Sequence, residues 1–426
     1  MTNKFSPLRW GILLLVMFSL GLLTIDRQAL SIAAPVLQND LGMTAAQFGQ
    51  VLAIFSVVFA LAALPLGVLF DWIGGRFGLA LTLLICLLAD IAAGSAGSVW
   101  GLGAARAFYA LGAPGGALVA AKAIAEWMPA RERGSAFGLL AAGREIAAAA
   151  AAFVLFLILN NLGWRGLFLL LGGTFLPLLF LWVWAYRTPS QHAALSEWEA
   201  GTIEKEKLPD VSLSAGGSEL TRWLSFWGRR EAWLLILSSL ITAQLSTLLI
   251  SWLPMYLNRQ KGFSLQNVSW MSLAVFLPSA MGALFGGGIS DLMIRSGGHP
   301  LSSRLRLMAV AAVLVLAIVP LVWVNSLNVL MVLIGITSIG AGIWQTTMNA
   351  LVVDLTPARS VGSVMGGILT CSSIVGAVMS VIVGFVMNEL TNGMELLLVL
   401  SSLLYLVALA LLVWATRPQR LAAATA

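Results

Sequence analysis

Two kinds of side chain that could do chemistry stand inside otherwise apolar runs of this sequence. Guanidinium groups can bind an anion, and carboxylates can carry a proton. Asp26, Arg27, Asp90, Arg106, Arg144 and Glu145 all fall among Leu, Ala, Val and Phe. An ionisable group at the centre of a bilayer costs about 2.5–3.5 kcal/mol on insertion scales, so each implies a partner or a role. A guanidinium fork matches the two oxygens of a carboxylate, and a surplus of Arg around a water-filled cleft therefore suits a carboxylate solute. Asp26 and Arg27 are consecutive and point about 100° apart on a helix, so only one can face a cleft squarely. Asp90 and Arg106 stand at equal depth on neighbouring spans, which allows either an ion pair or an Arg106 that faces substrate. Arg144 and Glu145 are placed near mid-membrane, ahead of the alanine run Ala147–Ala152 that lets another helix approach. Lys122 and Glu126, one turn apart, can pair along their helix and snorkel.

Uncharged polar groups extend the candidate set. Tyr109 is one turn from Arg106 and shares its face. Gln244, Thr247 and Ser251 recur at helical spacing, and Gln345 and Asn349 do the same beside Trp344; these suit hydroxyls on a solute or hydrogen bonds between helices. The expected substrate-binding set is Arg27, Arg106, Tyr109, Arg144, Gln244, Thr247, Trp344, Gln345 and Asn349, with Asp26 and Glu145 as proton-coupling residues. No enzyme is expected: His192 and His299 are the two histidines, both in loops, and no metal or nucleotide motif appears. No cofactor is expected beyond a proton gradient as energy source.

The elements that position these groups follow from composition. Hydrophobic residues make up 59% of the 426 and charged ones 10%, against roughly 25% charged in a soluble domain. Twelve stretches approach the ~20 apolar residues a membrane helix needs. They begin near Trp10, Ala46, Gly78, Trp100, Ser135, Phe168, Ala232, Val268, Leu307, Leu327, Ser363 and Met394. The expected fold is an all-α membrane protein with twelve transmembrane helices in two pseudo-symmetric six-helix bundles. The expected domains are 1–185, a cytoplasmic linker 186–231 rich in Glu and Lys, and a second bundle 232–426. The first span reads as a retained helix and not a signal peptide.

The chain also contains itself twice. PARERGSAFG from Pro129 returns as PARSVGSVMG from Pro357, and GVLFDWIGGR with Gly67 four before Asp71 is echoed by GGISDLMIRSG with Gly287 four before Asp291. The two offsets nearly agree, which points to a carrier built from two membrane halves. Gly67, Asp71, Gly74, Arg76 and, in the second half, Gly287 and Asp291 read as a gate in which Asp71 accepts bonds from a facing helix terminus or a neighbouring Arg. Between the spans, Lys and Arg fall on one side, with Arg165, Arg259 and Lys261 as exceptions, which puts both termini in the cytoplasm. The net charge of +6 follows from that topology and does not argue for nucleic acid. Cys86 and Cys371 both lie in apolar spans, where buried thiols are expected in place of a disulfide.

These residues resemble the anion:cation symporter family of the major facilitator superfamily. IDRQALSIAAPVLQNDLGMT around Asp26, Arg27 and Pro35 is similar to its first helix. Gly67, Asp71, Gly74 and Arg76 resemble the superfamily signature after the second helix. Arg106 followed by Trp127, Pro129, Glu132 and Arg133 resembles the fourth helix and its loop. Gly163, Trp164, Arg165 and Phe168 resemble its GWR turn, and Trp252, Leu253, Pro254, Tyr256 and Leu257 its WLPxYL. The resemblance implies proton-coupled uptake of a small organic anion, a sugar acid or related carboxylate, by alternating access in the bacterial inner membrane, with the chain acting as a monomer. It assigns anion contacts to Arg27 and Arg106 and proton coupling to Asp26. The family's acid seven residues after the fourth-helix Arg is Ala113 here, and Glu145 could replace it; the Pro expected twelve residues after Arg106 is Leu118. The competing expectations are a proton-driven exporter of drugs or metabolites on the same fold and, from another class, a membrane sensor. Three inward Arg candidates favour the anion, and gate signatures in both halves argue against the sensor.

Overall fold

Two apolar segments are too long for one crossing, and a glycine breaks each. The structure, a computed structural model, describes residues 7–192, 195, 201–202, 230–253, 256–257, 261–262, 265–356, 358–389 and 393–416. Helix α1 spans Leu8–Leu41 and α2 spans Ala45–Gly94. A straight helix of α2's 50 residues would be about 75 Å long, more than twice the ~30 Å hydrocarbon core. Gly74, at φ 80° and ψ 167°, divides it. Helices α3 (Val99–Gly112) and α4 (Gly115–Trp127) follow, then α5 (Arg133–Ala185), divided by Gly163 at φ 66°. Both glycines adopt a left-handed φ that a side chain disfavours. Beyond the loop come α6 (Arg230–Thr247), α7 (Leu265–Arg295), α8 (Pro300–Val315), α9 (Leu327–Leu355), α10 (Val361–Glu389) and α11 (Gly393–Ala415). A π-helical turn extends α6 and a 3-10 segment extends α8.

The protein is an all-helical, multi-pass membrane protein: among the described residues, ten helical segments are long and apolar enough to cross a bilayer. Large apolar side chains point outward, with Phe180 and Trp184 67% and 78% exposed, as a lipid-facing surface requires. Most of the expected linker 186–231, and Pro254 and Pro357, lie outside the described residues.

Contacts divide the chain into two units. The first comprises Met1–Pro129, Ile146–Lys207 and Ala358–Ser373. Its core gathers Leu30, Leu37, Val51, Leu102, Trp164 and Phe168 around α1, α2, α3 and α5. The GWR turn has a visible cause there, because Trp164 donates its indole N–H to Asp40 Oδ2 at 2.9 Å. The second unit comprises Ala130–Glu145, Leu208–Pro357 and Ile374–Ala426. In it α9 packs on α7 and α8, and α11 packs on α6. Gly282 and Gly342 let the backbones of α7 and α9 touch: a Cβ on Gly342 would overlap the Ser279 carbonyl. Each unit thus takes in a short segment from the other half of the sequence, and both segments begin at the repeated motif.

Candidate functional site

The first unit buries a charge cluster drawn from three helices. On α1 the buried positions Ser19, Leu23, Asp26, Leu30, Ala33 and Leu37 recur every three or four residues, so Asp26 belongs to the inward stripe and Arg27 does not. Asp26 is fully buried, and its Oδ1 accepts from Arg106 Nη1 at 3.0 Å. Asp90, on the second limb of α2, accepts a short bond from Arg106 Nη2 through its own Oδ1. Arg106 is itself 1% exposed. Its guanidinium lies against the rings of Tyr109 and Phe168, 4.7 and 4.6 Å from their centroids. Tyr109 is fully buried and donates to the Leu23 carbonyl at 3.3 Å. The Asp90–Arg106 pair is therefore formed, and Asp26 joins it.

Arg27 turns the other way. It is exposed, and its guanidinium stands 5.9 Å from the ring of Phe55 and 5.3 Å from that of Phe59. Consecutive residues of one helix thus offer a buried acid and an exposed cation. The sequence does not single out the aromatic support for Arg27, although Phe55 and Phe59 lie one turn apart on α2.

The gate residues form two matching clasps. In the first unit Asp71 Oδ1 accepts from Gly362 N at 2.9 Å and Oδ2 from Ser363 N at 2.6 Å, at the start of α10. In the second unit Asp291 Oδ1 accepts from Gly134 N at 3.0 Å and Oδ2 from Ser135 N at 2.6 Å, at the start of α5. A carboxylate at a helix N-terminus meets unpaired N–H groups and the positive end of the dipole. Gly67 and Gly287 sit one turn before each Asp and lack the Cβ that would overlap the Gly362 and Gly134 carbonyls. Each Asp also faces one cation: Lys122 Nζ lies 3.1 Å from Asp71, and Arg304 Nη1 lies 3.7 Å from Asp291. Asp354 anchors the second clasp by accepting from both Arg304 and Arg133, and Arg304 also donates to the Ala130 carbonyl at 3.1 Å. Asp354 is absent from the expected gate residues, although it precedes Pro357 by three residues as Glu126 precedes Pro129.

Other expected positions fall elsewhere. Lys122 does not take Glu126 as its partner: it reaches Asp71, and Glu126 accepts the Tyr186 hydroxyl at 2.6 Å. An intrahelical pair contributes only a few tenths of a kcal/mol, whereas a buried ammonium requires a close counter-charge. Tyr186 follows the last residue of α5. Burial pushes its phenol well above the usual tyrosine range, and the Glu126 carboxylate adds to the rise. Arg76 donates through Nε and Nη2 to the Val183 carbonyl at 3.1 and 2.6 Å, which ties the Gly74 break to the end of α5.

Arg144 pairs with its neighbour Glu145 at 2.8 Å and is 52% exposed, so the two partly neutralise each other. Within the second unit Trp344 is buried, donates to Thr242 Oγ1 at 3.1 Å and packs against Tyr405. Gln244 and Thr247 donate back to their own helix, and Gln345 donates to Asn349 at 3.2 Å. The side chain of Ser251 lies outside the described residues. Cys86 is buried and Cys371 half-buried, and both are free thiols.

A family model described as Major Facilitator Superfamily matches residues 16–380 and again 260–425. The chain is 26% identical over 408 residues to a probable L-galactonate transporter of Escherichia coli, covering 94% of this chain and 87% of that protein. It is 23% identical over 383 residues to a D-galactonate transporter of the same species, covering 88% and 89%. Among solved structures it resembles the human organic anion transporter MFSD10 at TM-score 0.71 and 16% identity, covering 96% of this chain and 100% of that one. It also resembles the Escherichia coli fucose:proton symporter at TM-score 0.70 and 14% identity, covering 95% and 98%.

Proposed function

The chain belongs to the Major Facilitator Superfamily, and on that footing we propose that it imports a small organic anion, a sugar acid or similar carboxylate, together with a proton by alternating access. The observation that carries this reading is the pair Asp26–Arg27. One helix presents a cation at the surface of the unit and, at the next position, an acid buried against Arg106. Arg27 is the group that meets the carboxylate. Phe55 and Phe59 hold its guanidinium in place and lower the rotamer entropy lost when an anion docks. Asp26 is the group that carries the proton. The relatives named for galactonate support a polyhydroxylated monoacid as the solute class.

Coupling follows from the magnitudes. Moving one negative charge inward against an inside-negative potential costs about 2.3 kcal/mol per 100 mV, and a proton moving with it cancels that cost. With the breaks at Gly74 and Gly163 each separating two crossings, and α3 and α4 counted as one, the proposed carrier has twelve membrane helices; the proposal further takes both ends as cytoplasmic and the carrier as a monomer of the bacterial inner membrane. Release of the Asp71 and Asp291 clasps accompanies opening.

Uptake of labelled D-galactonate into proteoliposomes under an inward proton gradient tests the reading. The protein is expected to concentrate the solute, and Arg27→Ala to abolish both uptake and binding. Undiminished uptake by Arg27→Ala would overturn the anion assignment.

A further inference from the structure

Asp90 has no part in the function proposed above, yet its chemistry is inseparable from that of Asp26. Both acids are fully buried, and both spend one oxygen, Oδ1, on the same guanidinium. Their remaining oxygens, Asp26 Oδ2 and Asp90 Oδ2, are buried without a hydrogen-bond donor. The two carboxyls take the two Nη atoms of one guanidinium, so they are close neighbours. Two carboxylate oxygens cannot satisfy one another, because neither has a hydrogen to give. A single proton changes that, since the protonated acid donates to its neighbour.

Charge counting gives the same answer. One guanidinium faces two carboxylates in a site closed by the rings of Tyr109 and Phe168 and by Gly172, where a Cβ would fall 2.9 Å from Asp90 Cβ. The titratable groups facing the cluster include the Cys86 thiol on α2 and the Tyr109 hydroxyl on α3. Neither supplies a second positive charge, and Arg27 points outward. With both acids ionised the cluster carries a net negative charge in low dielectric; with one proton it is neutral.

We infer that Asp26 and Asp90 hold one transported proton jointly over Arg106, which makes Asp90 a proton-coupling residue. The loaded cluster has one acid, one carboxylate and one guanidinium. Unloading sends the proton to water and leaves two carboxylates sharing Arg106, a form that bulk water or an approaching cation must stabilise. Loss of either acid leaves a neutral carboxylate–guanidinium pair that has no proton to give. Replacing Asp90 therefore disables coupling as fully as replacing Asp26, although Asp90 is on another helix.

The inference rests on the carrier reading, and its test has one readout that does not. In the purified protein at neutral pH, infrared spectroscopy should show a carboxylic-acid carbonyl band that shifts in D2O and is lost in both Asp90→Asn and Asp26→Asn. Absence of the band from the unaltered protein, or its survival in Asp90→Asn, overturns the shared proton whatever the solute. The second readout is transport in proteoliposomes. Asp90→Asn should lose pH-driven accumulation of D-galactonate while solute counterflow persists, and Asp90→Glu should restore part of the accumulation. Accumulation that persists in Asp90→Asn overturns the inference. So does loss of counterflow together with accumulation in a variant that keeps the parent's melting temperature, because that pattern marks a packing role. If the unaltered protein moves no sugar acid, the substrate reading fails and the infrared result still decides the proton.

Discussion

Replacing Asp71 by Asn removes charge from the first clasp while keeping its shape. The carboxylate accepts two backbone N–H bonds at the start of α10 and one from Lys122. Bonds to a charged partner contribute about 1.5–3 kcal/mol each, and an anion at a helix N-terminus adds about 0.3–1 kcal/mol. Asn keeps one oxygen, turns an N–H toward a second backbone donor, and leaves Lys122, 3% exposed, without its counter-charge. The expected loss is about 2–4 kcal/mol, or a population shift of about 30- to 1000-fold. Cys371, a native free thiol on α10, reports it. It follows Thr370, whose hydroxyl donates to the Ala60 carbonyl at 2.8 Å and accepts from Leu64 N at 3.1 Å, so the face of α10 that carries the clasp is fastened to α2 at both ends. In a Cys86→Ala background, N-ethylmaleimide should label Cys371 faster in Asp71→Asn, by at most a factor in that range, because the half-buried thiol is fully exposed only in the opened state. A rate within about threefold of the parent, in protein of unchanged melting temperature, would refute the idea that Asp71 holds α10 closed.

Gly134→Ala should disable the second clasp. The new Cβ would lie 2.6 Å from Asp291 Oδ1 and 2.7 Å from the Gly287 carbonyl, and the strain is expected to cost about 1–3 kcal/mol, read as a lower melting temperature and slower transport. Phe59→Leu removes one ring from Arg27, an exposed cation–π contact of about 0.5–1 kcal/mol, so KM for D-galactonate should rise about 2- to 5-fold with little change in maximal rate. Tyr186→Phe deletes the bond to Glu126 and should lower stability by about 1.5–3 kcal/mol. Because the folded phenol titrates above its unfolded value of about 10, its contribution is fully present below that value and is lost only as pH rises through the raised one. The destabilisation should therefore be equal at about pH 6 and pH 9; a deficit that shrinks between those values would contradict the bond.

The sequence reveals what repeats and what is improbable in lipid. The two PAR motifs and the two Gly–Asp pairs were visible because each is a local string, and their three-dimensional meaning needed only a helix terminus for each Asp to face. The buried acids and Arg106 were visible because lipid makes every retained charge costly. Partner choice was not visible, because it depends on which face of each helix turns inward, and a nearly uniform apolar background carries little periodic signal. Lys122 illustrates the difficulty. Spacing offered Glu126, and packing offered Asp71, whose carboxylate had already gathered the start of α10. Asp26 and Asp90 illustrate its consequence. Read singly, each acid on a separate span was a candidate for pairing Arg106, and nothing in a string of letters forbids both from doing so at once. Only the crossing of α1, α2 and α3 shows that they compete for one cation, and that competition, more than either residue alone, calls for a mobile proton.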